Sequence, residues 1–517
     1  MDSIRVKNLR CLVDSFDIPI KPLTILVGAN STGKSTFLRV FPLLRQSVET
    51  PTDNPILWYG QNGYVDFGTI KEALRESAQA ISFGFKFTLP NKSADDLCSH
   101  PHELGFLLGD GAGEFNIEIE LTPRQNNETQ TTISKLILRL GADEAILLFD
   151  ESGQITRFDV NTRSFINELK ALQIKQTTHF IPIIFEKNTE LFNEYGLKLV
   201  KHLAHLYYKK IHPNSVLKML FEMGIGHQNF IKSFQEIKNP FKTWKKNISK
   251  LTESNENIQL IRDISFACHV PLLLSFADHK IVDFAHKIQY IGPLRAVADR
   301  YYRVQDISVA EIDFRGENLP MYLDSLSPNQ KTDLDDWLKT HFGLEVSIQN
   351  QGTHLAVMVT PDNASLKNLA DVGFGYSQAL PVIIKLWSVV QHSMWDRFKN
   401  YPSIIAIEQP ELHLHPTLQA QLADVFANIA KMKLKNENHP TESKVTPRLL
   451  VETHSEAIVN RIGQLVGLGK LSANDVQVIL FEPDQEKGGT KVSATTFDEE
   501  GCLMNWPYGF FIPELPV

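Results

Sequence analysis

The sequence predicts an α/β fold in which a parallel sheet carries a phosphate-binding loop, on three observations. The apolar run LTILV (23–27) leads directly into the glycine-rich segment GANSTGKST (28–36). Apolar residues at helical spacing follow, over 36–48. Two later apolar runs, SIIAI (403–407) and RLLV (448–451), each end in polar residues. Strands of this kind, joined through helices, are typical of a parallel sheet with functional residues at its strand ends.

The segment 28–36 matches G-x-x-x-x-G-K-[ST], the pattern of a loop that cradles phosphates. Glycines let backbone N–H groups turn inward around an anion, a lysine reaches the β and γ phosphates, and a hydroxyl holds Mg²⁺. The strand before it and the helix after it, bent at Pro42, supply the required context. A glycine- and serine-rich turn without a ligand is the alternative. We expect ATP to contact Asn30, Ser31, Thr32, Gly33, Lys34, Ser35 and Thr36, with Ser35 also on Mg²⁺.

The composition is that of an ordinary globular protein and argues against several classes of function. The chain has 517 residues, 43% of them hydrophobic, and a formal net charge of −8. This charge gives no global attraction to nucleic acid, so such binding would need a local basic patch. The four cysteines form no C-x-x-C pair, which favours a reduced, cytoplasmic protein without a zinc site. We also expect no membrane span, because no apolar run approaches roughly 20 residues, and no signal peptide.

Changes of pattern along the chain divide it into four predicted parts. Residues 1–160 combine the glycine-rich loop with short alternating runs, such as EFNIEIELT, which predict an antiparallel sheet. Residues 161–287 have mainly helical spacing and are predicted to be a helical insertion. Residues 288–490 return to an α/β pattern, and 491–517 are predicted to form a short C-terminal domain.

Three further stretches supply candidates for the rest of a nucleotide site. The run 403–407 delivers Glu408 at its carboxyl end, where a carboxylate can hold the metal directly or through water. The run 448–451 leads to His454, which can reach a γ-phosphate or position the attacking water. The stretch DVGFGYSQALPVIIKLW (371–387) leads from a glycine-rich loop into a helix whose first amides can bind an anion. Each feature also has a purely structural explanation. Glu408 would cap a helix, His454 would be a core histidine, and the glycine-rich loop would be a tight turn.

In this order, the phosphate-binding loop, the Gly-Ser-Gln loop, the acid-bearing strand and the histidine-bearing strand resemble the ABC-type ATPase heads of the SMC, RecF and OLD group. The resemblance covers residues 1–90 and 288–517. It implies a RecA-like core with an antiparallel β lobe, here interrupted by a mainly helical insertion. It also implies a homodimer or higher oligomer in which one subunit closes over the ATP of another with its Gly-Ser-Gln loop, namely Gly375, Ser377 and Gln378.

Three stretches sharpen the resemblance: YIGPLRAVADRYY (290–302), VGFGYSQALPV (372–382) and IEQPELHLHP (407–416). Together with the tail 497–511, they are similar to a bacterial branch of AAA-family ATPases that occurs in anti-phage systems. Within that branch, the sequence resembles the ATPase subunit of Septu-type defence, including forms coupled to retrons. This resemblance implies an HNH nuclease partner and, in retron forms, a reverse transcriptase with its RNA/DNA product. It implies an ATP-operated switch that senses infection and controls the nuclease.

The sequence departs from these heads at one catalytic position. In the heads the metal-holding acid is followed at once by a catalytic Glu, whereas here Glu408 is followed by Gln409. A glutamine can orient water but cannot accept its proton. Glu411 is a candidate substitute, with help from His454. One hypothesis, which we favour, is a slow ATPase whose bound ATP holds a dimer closed. The other is ordinary hydrolysis restored by Glu411.

Three other features have competing interpretations. Lysines and aromatics alternate in KNPFKTWKKNISK (238–250), which suits a nucleic-acid contact, although a solvated helix face is favoured. His413 and His415 suggest a metal, but packing after the strand is favoured because no third ligand stands nearby in the sequence. Arg295 and its neighbouring arginines either bind phosphate or tie the insertion to the head, and the sequence does not decide between the two.

Other functions of the same ATPase type remain alternatives. A RecF- or SMC-like clamp in DNA repair would use the same dimer. An OLD-like ATPase would work with a nuclease in DNA metabolism. A nuclease domain of its own would need a D-x-D, and 455–517 contain none. A transporter subunit is disfavoured because of the insertion.

Overall fold

The computed structural model of this protein describes residues 1–60, 63–88, 113–124, 127–169, 180–181, 189–206, 211–223, 225–227, 230–231, 252, 254–305, 309, 311–361, 365–395, 404–432, 447–484 and 488–506. The lysine- and aromatic-containing segment 238–250 lies outside the described residues, as does the end of the tail, 507–517. The nucleic-acid contact predicted for the first of these segments therefore stays a prediction.

The described strands, numbered along the chain, alternate with helices in the second half of the protein. The strands are β1 (Ser3–Leu9), β2 (Leu12–Asp14), β3 (Ile18–Pro19), β4 (Leu23–Gly28), β5 (Ile81–Thr88), β6 (Glu114–Arg124), β7 (Asn127–Leu140), β8 (Asp143–Phe149), β9 (Ile155–Val160), β10 (Arg163–Ser164), β11 (Ile288–Ile291), β12 (Tyr302–Arg303), β13 (Leu344–Gln351), β14 (His354–Pro361), β15 (Lys367–Asn368), β16 (Ile404–Glu408), β17 (Arg448–Glu452), β18 (Val476–Pro483) and β19 (Thr490–Thr495).

The described helices range from single turns to one helix of 31 residues. The α-helices are α1 (Lys34–Leu38), α2 (Val40–Glu49), α3 (Ile70–Ala73), α4 (Ile166–Leu169), α5 (Thr189–Val200), α6 (Pro213–Met223), α7 (Glu256–His286), α8 (Leu319–Ser325), α9 (Pro328–Phe342), α10 (Phe374–Trp395), α11 (Pro416–Ala430) and α12 (Glu456–Gly467). Short 3₁₀ turns cover Lys201–Leu203, Leu369–Asp371 and Ala473–Asp475.

The chain forms two compact units, and the first comprises Met1–Pro19 and Gln46–His286. Its sheet is antiparallel, in the order β10-β9-β8-β7-β6-β5-β1-β2, with β3 paired to β1. In β6, Phe115, Ile117 and Ile119 are buried, and the polar residues between them are not. This period of two is expected for a sheet that packs one face on a core. The predicted antiparallel β lobe is thus confirmed.

Helices α4 to α7 follow this sheet along the chain, and α7 is the longest of them. By length and composition α7 could cross a membrane, because its most apolar window of 18 residues has a mean hydropathy of 1.4. The sequence analysis did not single out this helix. However, 72% of that window is buried inside the protein. Burial on this scale is typical of a core helix, which is apolar on most of its circumference.

The second unit comprises Ile20–Arg45 and Lys287–Val517, and it holds the phosphate-binding loop. Its main sheet is parallel in the order β11-β16-β17-β4-β18, with β19 antiparallel to β18. Strand β4, which leads into the loop, is buried at every position because it lies in the middle of this sheet. The histidine-bearing β17 is its neighbour, and the acid-bearing β16 lies beyond β17. The α/β class predicted from the sequence is confirmed by this sheet.

A second, smaller sheet of this unit has the order β12-β14-β13, with β15 paired to β14. Helices α9 to α12 bury their apolar faces in the same core, where Trp387 and Phe426 are among the largest fully buried side chains. Helix α9 begins with a capping box, in which the Ser327 hydroxyl accepts from the backbone N–H of Gln330. The core therefore gives the strand ends of the parallel sheet a rigid support.

The helical segment after the loop differs from the sequence prediction. The chain forms two helices, α1 and α2, which are separated at Arg39 rather than bent at Pro42. Pro42 lies in the first turn of α2, where its missing N–H and fixed φ cost nothing. The break at Arg39 matters for the site, since this side chain reaches a strand end of the parallel sheet.

An ion-pair network between the partly exposed Glu311 and the buried Lys385 and Arg45 of the second unit gives a prediction on stability. Glu311 accepts from Lys385 at 2.6 Å and from Arg45 at 2.9 and 3.0 Å. Burial would raise the pKa of Glu311, but the two cations hold this pKa down at about 2. Lys385 has 0% relative exposure, so Glu311→Ala would leave a buried ammonium without its carboxylate.

We expect Glu311→Ala to lower the free energy of unfolding by about 3–5 kcal/mol, the usual cost of breaking one side of a buried pair. Tryptophan fluorescence during denaturant unfolding at pH 7 measures this change. Glu317→Ala is the control, because the Arg315–Glu317 pair is exposed and is expected to contribute less than about 1 kcal/mol. Because the folded pKa of Glu311 is depressed, its contribution is present above the usual pKa of 4.5 and is lost as pH falls towards 2.

Candidate nucleotide-binding and catalytic site

The phosphate-binding loop connects the end of β4 to the start of α1. At Gly28, a Cβ atom would lie 2.3 Å from the carbonyl oxygen of Phe481 in β18, so a larger residue does not fit. Gly33 precedes α1 with a φ of 91°, a left-handed conformation that glycine adopts without strain. The two glycines of the sequence pattern are therefore required by the shape of the loop, independently of any ligand.

The other loop residues divide into an exposed and a buried pair. Asn30 and Ser31 are exposed, whereas Thr32 and Thr36 are buried. The carbonyl oxygen of Thr32 accepts a hydrogen bond from the Thr490 hydroxyl at 2.9 Å. This bond anchors the loop to the start of β19.

The ammonium of Lys34 lies inside the loop. It donates to the carbonyl oxygens of Gly28 at 2.9 Å and Ala29 at 2.6 Å, and the residue is 4% exposed. Burial lowers the pKa of Lys34, and the charges of Glu452 and Glu411 oppose that shift. A lysine held at the centre of such a loop is placed to bind a phosphate group.

The hydroxyl of Ser35 contacts an acid that the sequence analysis did not single out. It donates to Oε1 of Glu452 at 2.7 Å. Glu452 is the last residue of β17 and is 1% exposed. Burial and the neighbouring charge of Glu408 raise the pKa of Glu452 to about 7. The sequence contains a signal for Glu452, because this acid ends the apolar run RLLVE (448–452), just as Glu408 ends the earlier run. The sequence analysis instead used His454, two residues further on.

The predicted metal-holding acid, Glu408, is engaged in other contacts. Arg39 donates to both of its carboxylate oxygens, at 2.8 and 2.9 Å, and Tyr290 donates to Oε1 at 2.8 Å. Glu408 is 1% exposed and lies opposite Glu452 in the register of β16 and β17. The carboxylate raises the pKa of Arg39 through these bonds. Glu408 is thus at the expected edge of the sheet, but it is already paired.

Gln409 and Glu411 follow β16 directly, at the same edge of the sheet. Gln409 has a positive φ of 44°, and its N–H donates to the carbonyl oxygen of Glu452. Oε1 of Glu411 accepts from the backbone N–H of His454 at 2.7 Å. Its other oxygen, Oε2, is buried and has no hydrogen-bond partner in the described part of the chain. Burial raises the pKa of Glu411.

The three predicted catalytic residues lie in one open cleft of about 670 Å³. The His454 side chain is exposed there, and partial burial together with the charge of Lys34 lowers its pKa, which keeps the ring neutral at pH 7. The cleft is lined by Gln409, Glu411, Leu412, His413, Leu414, Pro416, Gln419, His454, Ser455, Glu456, Ala457 and Asn460.

The Gly-Ser-Gln loop lies near this cleft, but two of its polar side chains point inward. Ser377 is 5% exposed and donates to the carbonyl oxygen of Phe374. Gln378 is 3% exposed and its amide group bonds to the backbone of Arg295. Gly375 lies against the chain after β16, since a Cβ there would be 2.6 Å from the carbonyl oxygen of His413. The contact of these residues with a second subunit's ATP stays a prediction.

Arg295 links the Gly-Ser-Gln loop to the acid-bearing strand. Its guanidinium donates to the carbonyl oxygens of Glu408 at 2.8 Å, Gln409 at 3.2 Å and Gln378 at 3.4 Å. Burial lowers the pKa of Arg295 to about 10, and nearby acids, Glu411 foremost, oppose that shift. These bonds hold the Gly-Ser-Gln loop to the acid-bearing strand within the second unit, which is a role that the sequence did not suggest.

Magnesium, which an ATPase normally requires, is compatible with the residues present. Mg²⁺ prefers oxygen ligands, and the site offers the Ser35 hydroxyl and an orphaned oxygen of Glu452. Within the described ranges there is no group of three or more His, Cys, Asp or Glu that could hold a metal. When bound with a nucleotide, the ion would neutralise the charge of the phosphates. His415 instead caps α11, and His413 packs on Phe374 at 4.7 Å.

Comparisons with known proteins agree with an ATPase. Residues 1–459 match the family model described as AAA ATPase domain. Over 41 residues the chain is 51% identical to an OLD nuclease of Thermus scotoductus, a match that spans 8% of each protein.

Two SMC head structures also resemble the chain. One, from Pyrococcus furiosus with an extended coiled coil and bound to the C-terminal domain of ScpA, has a TM-score of 0.29, 10% identity and 96% coverage of each chain. The other, from Thermotoga maritima, has a TM-score of 0.33, 7% identity and coverage of 95% of this chain and 97% of that one. Likeness at this level carries no conclusion about function. Because residues 1–459 match the family model, the chain belongs to the AAA ATPase domain family.

Proposed function

We propose that this protein binds ATP with Mg²⁺, hydrolyses it slowly, and uses bound ATP to hold two copies together as a switch for a partner nuclease in anti-phage defence. The observation that carries the ATPase part is the placement of Lys34 and Ser35 beside Glu452, at the end of the strand that pairs with β4. A lysine, a hydroxyl and a carboxylate at this edge are the groups needed for phosphate and metal.

The proposed slow hydrolysis of ATP rests on Gln409, the residue that follows the acid-bearing strand β16. Gln409 lines the cleft where the attacking water would lie, and an amide cannot accept its proton. Glu411 also lines this cleft, and its charge acts on Lys34. Its raised pKa makes it a proton acceptor, but it is bonded to the backbone of His454. We infer that Glu411 supports turnover below roughly 1 s⁻¹, the lower end of typical enzymes.

The defence role rests on the resemblance of 290–302, 372–382 and 407–416 to the Septu branch. This resemblance implies a cytoplasmic location, an HNH nuclease partner and, in retron forms, a reverse transcriptase with its nucleic-acid product.

The dimer would be closed by the exposed start of α10, where Gly373 and Phe374 face solvent. Co-purification from the native operon, with and without ATP, tests these partners, and a bound recombination mediator instead of a nuclease would favour a repair clamp of the RecF or SMC kind.

A second function is favoured by one observation. The short match to an OLD nuclease supports an OLD-like ATPase that works with a nuclease in DNA metabolism. Because the match spans 8% of that protein, the activity of the whole OLD nuclease is not carried over to this chain. A co-purified nuclease whose loss impairs DNA metabolism in uninfected cells would favour this second function over the defence role.

We expect Lys34→Ala to weaken ATP binding by at least about tenfold, because it removes a charge-assisted hydrogen bond to phosphate. Calorimetry with the purified full chain measures the affinity. Lys21→Ala is the matched control, since Lys21 lies before β4 and donates to the backbone of Val476. Unchanged affinity in Lys34→Ala, or equal losses in both variants, would contradict the proposed nucleotide site.

A further inference from the structure

We propose that Glu452, rather than Glu408, is the carboxylate that holds the Mg²⁺ of bound ATP together with Ser35. The proposal rests on the proposed ATP-binding function and names the metal-holding acid of that site. It differs from the expectation from the sequence, in which the acid at the end of β16 was the ligand.

The first argument is contact with the loop. A hydroxyl at the position of Ser35 is the loop's own metal ligand in this type of site. That hydroxyl donates to Oε1 of Glu452 at 2.7 Å. The contact arises because β17 pairs directly with β4, with Glu452 opposite Leu26. Strand β16 is one strand further from β4, so Glu408 starts farther from the loop in the order of the sheet.

The second argument concerns a carboxylate oxygen of Glu452 that makes no hydrogen bond to the described residues. Oε2 of Glu452 is buried and lacks a hydrogen-bond partner among the residues that the structure describes. The whole residue is 1% exposed. A buried polar atom without a partner costs free energy that a cation with oxygen ligands would recover. Its neighbour Ser35 already contacts the other oxygen, so an ion at this carboxylate would lie next to the hydroxyl.

The third argument is that Glu408 already has a cation. Arg39 makes two parallel hydrogen bonds to its carboxylate, and Tyr290 donates a third. Charge-assisted, bidentate bonds of this kind are among the strongest in proteins. Binding Mg²⁺ at Glu408 would require at least one of them to break. We therefore assign Glu408 a positioning role, in which it fixes Arg39 at the break between α1 and α2.

The test compares ATP binding in Mg²⁺ with ATP binding in EDTA, by calorimetry on the purified full chain. In the parent protein, Mg²⁺ should tighten ATP binding by about tenfold, the effect of one charge-assisted contact. Glu452→Gln and Ser35→Ala should each abolish this gain, and the double variant should lose no more than either one. Glu408→Gln should keep the gain. Glu482→Gln is the matched control, because Glu482 is an acid in the last two residues of β18.

A second readout follows the ion itself. Mn²⁺ in place of Mg²⁺ gives an electron paramagnetic resonance spectrum with ATP and the parent protein, and Glu452→Gln should return it to the spectrum of Mn²⁺–ATP in solution. If Glu452→Gln melts early, Glu452→Asp takes its place and should weaken the Mg²⁺ gain. The proposal is overturned if Glu452 variants keep the gain, or if Glu408→Gln abolishes it. If the parent protein binds no ATP under either condition, the proposed function itself fails.

Discussion

Replacing Glu411 by glutamine is expected to lower ATP turnover by about 100-fold or more, with the affinity for ATP unchanged. General-base catalysis by one side chain typically contributes 10²–10⁴-fold. Gln409 cannot supply it, and burial together with the charge of Lys34 lowers the pKa of His454, which makes its ring a weaker proton acceptor. Glu411→Gln preserves size and hydrogen-bond acceptance from the His454 backbone, so the change removes proton acceptance and little else.

The geometry explains why this carboxylate is a competent acceptor. Oε2 of Glu411 is buried and has no hydrogen-bond partner in the part of the chain that is described. Burial raises its pKa above that of an ordinary glutamate. A carboxylate in this condition accepts a proton more readily than one in water. It lines the cleft that also contains Gln409 and His454, where a water could meet a phosphate held by Lys34.

Phosphate release at saturating ATP measures the turnover, and calorimetry measures the affinity. Glu456→Gln is the control, because Glu456 lines the same cleft but is exposed, in the first turn of α12. We expect this control to retain the parent rate. Turnover of 1 s⁻¹ or more in the parent protein would contradict slow hydrolysis. Parent-like turnover in Glu411→Gln would exclude Glu411 as the base.

Much of the parallel core could be predicted from the sequence because its signals are local. The run LTILV followed by a glycine-rich loop predicted β4, and the two later apolar runs predicted β16 and β17, which the structure pairs side by side. Parallel strands bring their carboxyl ends to one edge, so Glu408 and His454 were expected to approach the loop. Alternating runs likewise predicted the antiparallel lobe.

The pairing of individual side chains could not be predicted, because it depends on sheet order and on distant segments. Nothing in the local pattern shows that Arg39, one turn beyond the loop, takes both oxygens of Glu408. The order β16-β17-β4 places Glu452 nearer to the loop, and that order is a property of the whole sheet. The inward orientation of Gln378 is set by Arg295, which lies 83 residues away in sequence.

Replacing Gln409 by glutamate is expected to raise ATP turnover by about 10- to 100-fold. The change puts a carboxylate back at the position where ABC-type heads carry their base, and a well-placed base contributes more than a displaced one. Glutamate has the same length as glutamine, so the left-handed backbone at Gln409 is no more strained than before. Arg295 donates to the carbonyl oxygen of Gln409 at 3.2 Å, and its charge would keep the new carboxylate ionised.

Phosphate release again measures the effect, with Gln464→Glu as a control that adds the same charge on α12, outside the cleft. The double variant Gln409→Glu with Glu411→Gln gives the sharper comparison. If position 409 has regained the base, the double variant keeps the raised turnover, because the proton no longer passes to Glu411. A double variant as inactive as Glu411→Gln would mean that Gln409 serves only to orient water. The slow rate would then need another cause, such as slow opening of an ATP-bound dimer.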